Sequence, residues 1–222
     1  MSGKGASARR EIPISRALAL TLIAGGIGWA TDRAAVHAGW RFPSAGYFVA
    51  ELVWKLATLG VMAWALHRYE SRRLDSQTTG FTPDPNAEKL PFPVRSFAIA
   101  SVAALVLSAT IGRSASDASA YGNAHEAGTA LVLAEVLLRY PLTVFAEEAF
   151  FRGWLQPRLG RNGPVLSAVL WAVYHLQQTS TIPSLVVFGL ALGALRWWRG
   201  TVRVGATAHY LADVVFFLAT YG

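Results

Sequence analysis

Two adjacent carboxylates and an arginine lie within an otherwise apolar stretch, Phe145-Ala-Glu-Glu-Ala-Phe-Phe-Arg-Gly-Trp154. An ionisable group at membrane depth is costly unless it is paired or faces a polar cavity, so such a group is a functional candidate by default. We therefore take Glu147, Glu148 and Arg152 as candidate site residues.

Two later apolar segments carry further polar groups. His175 ends the sequence Trp171-Ala-Val-Tyr-His, and His209 and Asp213 stand one helical turn apart in His-Tyr-Leu-Ala-Asp. With a rise of about 1.5 Å per residue, counted from the basic residues and the proline at the helix ends, these groups and the two glutamates lie roughly 9 to 16 Å deep. Three helices are therefore predicted to deliver polar side chains to one layer.

The spacing of the acidic pair predicts different directions for its two members. Glu148 and Arg152 are four positions apart, so they share a helix face and can form an ion pair, whereas Glu147 projects about 100° away. A carboxylate beside imidazoles in a low dielectric suits general-base activation of a water molecule. Hydrolysis is the chemistry that this set of residues favours.

The whole chain has the composition of an integral membrane protein. Of its 222 residues, 53% are hydrophobic and only 15% are charged, which is unlike a soluble domain. The net charge of +7 comes from basic residues placed between apolar segments, which suits lipid headgroups and argues against nucleic acid as a partner. The absence of cysteine excludes disulfides, thiolate zinc sites and a cysteine nucleophile.

Seven apolar segments predict an all-α, polytopic transmembrane bundle of about seven (six to eight) helices in a single domain. They are Ile12–Ala30, Tyr47–Leu66, Ser96–Ile111, Gly128–Leu155, Val165–Gln177, Ile182–Trp198 and Val204–Tyr221. Residues 1–10 are expected to be a disordered basic tail, residues 11–126 to hold the first helices and loops, and residues 127–222 to hold the candidate site. Gly189-x-x-x-Gly193 is a weak signal for close helix approach.

The distribution of basic residues predicts a cytoplasmic N-terminus by the positive-inside rule. The predicted cytoplasmic side carries Arg9, Arg10, Arg68, Arg72, Arg73, Lys89, Arg95, Arg158, Arg161, Arg196, Arg199 and Arg203, and the other side only Arg33, Arg41 and Arg113. Residues 75–92, which contain several prolines, are predicted to be a cytoplasmic loop, and Trp154, Trp197 and Trp198 are expected in an interfacial belt. We expect a multi-pass protein of a bacterial inner membrane.

The order of the candidate residues resembles the CPBP family of intramembrane proteases, which groups CAAX prenyl endopeptidases of the Ras-converting type with bacteriocin-processing and immunity (Abi) proteins. The motifs that carry the resemblance are Glu147-Glu148-x-x-x-Arg152, an aromatic residue four positions before His175, and His209-x-x-x-Asp213. The resemblance covers about Ala130 to Val215, and the first three predicted helices match only as generic spans.

The resemblance implies roles for these positions. Glu147 matches the catalytic glutamate, which activates water together with the histidine matched by His175. His209 and Asp213 match the pair that stabilises the oxyanion. The remaining two residues of the first motif match its supporting positions.

Two positions depart from the family pattern. Trp171 stands where phenylalanine is usual, an exchange of aromatic bulk, and Asp213 stands where the CAAX endopeptidases often have asparagine. An ionised Asp213 cannot donate a hydrogen bond to an oxyanion, so it is protonated, or it orients His209, or the site holds a metal. We expect a mechanism without a cofactor; the alternative is zinc bound by Glu147, His175, His209 and Asp213.

The expected partner is a membrane-associated peptide or lipidated protein: a CAAX protein, a leader peptide or a C-terminal sorting segment. The competing interpretations are a non-catalytic immunity factor or scaffold and a transporter. Glu51 and Lys55 are expected to neutralise each other or to line the cavity. Glu135 and Arg139 are assigned no chemistry.

Overall fold

The computed structural model describes residues 11–83 and 128–221, and these residues form six helices. The helices are α1 (Ile14–His37), α2 (Ala45–Glu70), α3 (Thr129–Arg158), α4 (Gly163–Tyr174), α5 (Ile182–Arg199) and α6 (Arg203–Tyr221). The predicted all-α fold is confirmed for this part of the chain.

Four of these helical stretches are long and apolar enough to cross a membrane: Ile14–His37, Ala45–Glu70, Thr129–Arg158 and Thr179–Arg199. The prediction that the chain is an integral membrane protein is therefore confirmed. Six of the seven predicted segments correspond to helices, and the count of about seven is not confirmed, because Ser96–Ile111 lies outside the described residues. The same holds for residues 1–10 and for the predicted division near residue 126.

Helices α1 and α2 form an antiparallel pair that packs closely at small residues. A Cβ added to Gly28 would lie 2.1 Å from the Trp54 ring, and one added to Gly25 would lie 2.7 Å from the Tyr174 carbonyl oxygen of α4. The Trp54 indole donates a hydrogen bond to the Ala24 carbonyl at 3.1 Å. The Gly25 contact joins α1 to α4, whereas the two Trp54 contacts hold α2, and with it the buried face that carries Lys55, against α1.

Helix α3 changes its winding along its length. It is α-helical over Thr129–Ala134 and Tyr140–Glu147, π-helical over Glu135–Arg139 and Glu148–Leu155, and ends in a 3₁₀ turn at Gln156–Arg158. Each wide π segment contains one Glu and one Arg four positions apart, and all four side chains are buried. Such segments occur often at functional sites because they redirect side chains.

Helices α4 and α5 approach each other closely through glycines. A Cβ on Gly189 would lie 3.1 Å from the Ala168 Cα, and one on Gly193 would lie 3.1 Å from the Pro164 carbonyl oxygen. The predicted close approach at Gly189-x-x-x-Gly193 is therefore confirmed. Helix α4 ends at Tyr174, so that His175 already has a non-helical backbone.

The segment after α2 folds back onto α3 and the start of α6. The Asp75 carboxylate accepts hydrogen bonds from the backbone N–H groups of Gln77 and Thr78, and the bond from Thr78 lowers the pKa of that carboxyl. The Gly80 carbonyl accepts a hydrogen bond from the Val202 N–H at 3.0 Å. Residues 75–83 of the predicted loop are thus a packed turn, and residues 84–92 lie outside the described residues.

The expectation that Trp154 lies in an interfacial belt is wrong. Trp154 is fully buried, and its indole N–H donates to Glu70 at 3.0 Å. Glu70 also binds the Arg158 guanidinium through two hydrogen bonds of 2.6 Å. The indole N–H of Trp154 therefore provides Glu70 with a further hydrogen bond beside its ion pair with Arg158, between α2 and α3.

Gly153→Ala should destabilise the protein, because the new Cβ would lie 1.9 Å from the Thr79 carbonyl oxygen and the backbone would have to move. We expect a loss of about 1 to 3 kcal/mol, measured by unfolding of the purified protein in detergent. Gly60→Ala is the control, since nothing lies within 4 Å of its added Cβ. Equal stability of the two variants would contradict the packing described.

Candidate functional site

The Glu147 side chain lies at the centre of the buried polar cluster. Both of its oxygens accept hydrogen bonds: Oε1 from the Lys55 Nζ at 2.8 Å and Oε2 from the Trp171 indole Nε1 at 2.6 Å. The lysine comes from α2 and the tryptophan from α4, so three helices meet at this one carboxylate. Its desolvation in the bundle is offset by these two donors.

His175 faces the same carboxylate from the end of α4. Its Nδ1 is 2.9 Å from the Trp171 carbonyl oxygen, and because a carbonyl only accepts, Nδ1 carries the proton. The other ring nitrogen, Nε2, lies 3.8 Å from Glu147 Oε1. That distance is too long for a direct hydrogen bond, and the two acceptors are placed to share a water molecule.

His209 of α6 closes the cluster on the opposite side. Its Nδ1 is 3.1 Å from Glu148 Oε1, and its Nε2 is 4.0 Å from Glu147 Oε2 and 3.7 Å from Asp213 Oδ2. Glu148, and not Asp213, therefore makes the hydrogen bond that orients the imidazole. The Asp213 side chain is 25% exposed, whereas the His209 side chain is 3% exposed, so Asp213 lies at the accessible edge of the cluster.

Glu148 and Arg152 form the ion pair that their spacing predicted, with 3.1 Å between Oε1 and Nη1. Both are fully buried, and the guanidinium also lies 4.6 Å from the Trp171 ring centre. Glycines provide their space, because a Cβ on Gly205 would lie 3.4 Å from Glu148 Oε2 and one on Gly189 would lie 3.2 Å from Arg152 Nη2.

Aromatic rings enclose both imidazoles. The Trp171 ring packs edge-on against His175 and His209, with ring centres 4.9 and 5.5 Å apart, and Phe188 packs edge-on against His209 at 5.2 Å. The rings leave the histidines few alternative orientations. The nitrogens that face Glu147 are therefore held in place by packing as well as by hydrogen bonds.

The structure brings all six sequence-predicted site residues into one cluster, and it adds two residues that the sequence did not assign to it. Lys55 was expected to pair with Glu51 or to line the cavity, and its ammonium lies 3.8 Å from Glu51 as expected; its closer contact with Glu147, at 2.8 Å, was not predicted. Trp171 was expected to supply bulk only. The sequence contained a signal for each contact: Lys55 is a lysine inside an apolar segment, and Trp171 has an indole N–H that phenylalanine lacks.

Glu135 and Arg139 form a buried ion pair at the other end of α3. Arg139 Nη1 also lies 3.8 Å from Glu51 Oε2. Neither residue contacts Glu147, His175 or His209 in the described part of the chain, and no chemistry is assigned to the pair.

The four residues considered for zinc do not fit that metal as arranged. Zinc needs carboxylate and imidazole lone pairs converging at about 2.0 to 2.2 Å on one point, whereas both oxygens of Glu147 accept N–H donors and one donor is an ammonium. Within residues 11–83 and 128–221, no three His, Asp or Glu side chains are grouped to hold a metal ion.

Comparison with known proteins gives one family match. The model of the family described as type II CAAX prenyl endopeptidase Rce1-like matches residues 129–215. This range contains α3, α4, α5 and most of α6, and it includes the six predicted site residues. No curated protein and no solved structure matches the chain. The resemblance noted from the motifs is confirmed over this range.

Trp171→Phe should destabilise the folded protein, because phenylalanine keeps the ring contacts but leaves Glu147 Oε2 without its donor. A hydrogen bond to a charged group is worth about 1.5 to 3 kcal/mol, and we expect a loss of that size in detergent unfolding experiments. Trp64→Phe is the matched control, since Trp64 is 52% exposed and should change stability by less than about 0.5 kcal/mol. Equal effects would show that the indole bond to Glu147 is unimportant.

Proposed function

We infer that this chain, whose residues 129–215 match the Rce1-like family of CAAX prenyl endopeptidases, is an intramembrane endopeptidase that hydrolyses a membrane-proximal peptide bond. The observation that carries the proposal is the convergence of Glu147, His175 and His209 from three helices, each imidazole lying within 4.0 Å of the carboxylate. Ionisable side chains are costly inside a membrane bundle, and activation of a water molecule explains why this cluster is present.

We propose that water binds between Glu147 Oε1 and His175 Nε2. Each carboxylate oxygen has two lone pairs, so Oε1 can accept a water proton while it also binds Lys55. The water oxygen attacks the carbonyl carbon of the peptide, and its proton passes to the Glu147–His175 pair. The same proton then reaches the leaving nitrogen as the C–N bond breaks, giving a carboxylic acid and an amine.

We assign stabilisation of the tetrahedral oxyanion to His209 and Asp213. His209 donates from Nε2 in its protonated form, and Glu148 holds the ring through Nδ1. Asp213 donates only as a neutral acid, since an ionised carboxylate carries no proton. The partial exposure of Asp213 supports approach of the substrate from this side of the cluster.

The substrate classes that fit are a CAAX protein, a leader peptide and a C-terminal sorting segment, because each presents an extended peptide at a membrane surface. We propose that the site opens to the cytoplasm of a bacterium, on the basis of the basic residues in the predicted inner loops. The mechanism needs no metal.

Glu147→Gln should abolish cleavage of a membrane-tethered peptide reporter by the purified protein. Loss of a general base costs about 100-fold to 10,000-fold in rate. Glu70→Gln is the control, because Glu70 is another acid paired between α2 and α3, partly buried, and plays no part in the mechanism. Cleavage by Glu147→Gln at the wild-type rate would remove the protease proposal and favour a scaffold or immunity factor.

Asp213→Asn should retain cleavage, because the amide supplies an N–H donor to the oxyanion whatever the pH. The measurement is the cleavage rate together with the metal content of the same preparation. Loss of cleavage accompanied by loss of bound zinc would contradict the metal-free mechanism. Retained cleavage with no change in metal content would agree with it.

A further inference from the structure

In the described part of the chain, Lys55 is the one residue outside residues 129–215 that forms a hydrogen bond or ion pair with Glu147. Its side chain is 2% exposed, and its ammonium lies over the Trp54 ring, 3.2 Å from the ring centre. Burying an ammonium to this extent is costly unless a carboxylate and hydrogen bonds compensate for it. The lysine is therefore held by its surroundings in one place.

Lys55 also lies at one end of a row of side chains with alternating charges. Its Nζ lies 3.8 Å from Glu51 Oε2, which lies 3.8 Å from Arg139 Nη1, and Arg139 pairs with Glu135. The row joins α2 to the first π-helical segment of α3. Because each member has an oppositely charged neighbour, the ammonium is restrained from both sides.

The oxygen that Lys55 binds is the one that faces His175. Lys55 Nζ and His175 Nε2 both lie near Oε1, at 2.8 and 3.8 Å, while Trp171 binds Oε2. Without the ammonium, Oε1 would be a buried anionic oxygen with no fixed partner, free to turn away from the water that it must hold. A displacement of about 1 Å at such a position costs about 100-fold in rate.

We propose that Lys55 is a positioning residue of the peptidase reaction: it fixes Glu147 Oε1 toward His175, and Glu51 holds Lys55 in turn. The proposal rests on the peptidase function proposed above. It extends the site beyond the range that matches the family to a residue of α2.

A second ion pair in the same molecule provides a matched control. Glu70 of α2 and Arg158 of α3 pair at 2.6 Å, so they join the same two helices as Lys55 and Glu147 but lie outside the cluster. If Lys55 only tied α2 to α3, its removal would have the same kind of effect as removal of Glu70.

The experiment compares Lys55→Met, Lys55→Arg, Glu51→Gln and Glu70→Gln by reporter cleavage and by thermal unfolding. We expect kcat to fall about 100-fold in Lys55→Met with KM nearly unchanged, and to recover about tenfold in Lys55→Arg, which restores the charge. Glu51→Gln should lower kcat several-fold with KM unchanged. Glu70→Gln should lower the melting temperature and leave kcat at the wild-type value.

Wild-type kcat in a folded Lys55→Met variant would overturn the proposal. If that variant does not fold, Glu51→Gln decides, and its wild-type kcat would also overturn the proposal. Glu147→Gln is run in parallel: if it cleaves as well as the wild type, the peptidase function fails. If it is inactive while Lys55→Met retains full kcat, only the role of Lys55 fails.

Discussion

The structure depends on hydrogen bonds to one buried carboxylate, that of Glu147. A membrane-spanning bundle cannot leave an anion without partners, and here α2 and α4 each supply a donor to one of its oxygens. The two histidines then occupy the remaining directions around the carboxylate. Stability and chemistry thus require the same arrangement, because the hydrogen bonds that compensate for the burial of the Glu147 carboxylate also fix its orientation.

The winding of α3 makes this arrangement compatible with a second acid beside the first. Neighbouring residues of a regular α-helix point about 100° apart, and the π-helical segment begins directly after Glu147. Glu147 can therefore face Lys55 and Trp171 while Glu148 faces Arg152 and His209, with both acids buried. The glycines of α5 and α6 leave the space that these larger side chains need.

Much of the architecture was predictable, because the positions of the apolar segments located each helix of the described residues to within a few residues. The exception is the C-terminal end of α1, which extends to His37. The common layer of Glu147, His175 and His209, at roughly 9 to 16 Å depth, was also predictable from the helical rise, whereas their direct approach to one another was not. The contact of Lys55 with Glu147 was not predictable, because Glu51 at helical spacing already offered a partner, and only the packing of α2 against α3 brings the ammonium to Glu147 as well. The indole bond of Trp171 and the π-helical turns depend likewise on tertiary packing, which local spacing does not encode.

The repeated pairing of an acid with a base four residues later has a consequence for biogenesis. Glu51 with Lys55, Glu135 with Arg139, and Glu148 with Arg152 each lie on a single helix, so each pair can enter the bilayer as a nearly neutral unit before the bundle assembles. Glu147 has no such companion on α3. The charge of Glu147 stays uncompensated until α3 packs against α2, which precedes it in the chain and supplies Lys55, and this requirement draws the two helices together during assembly.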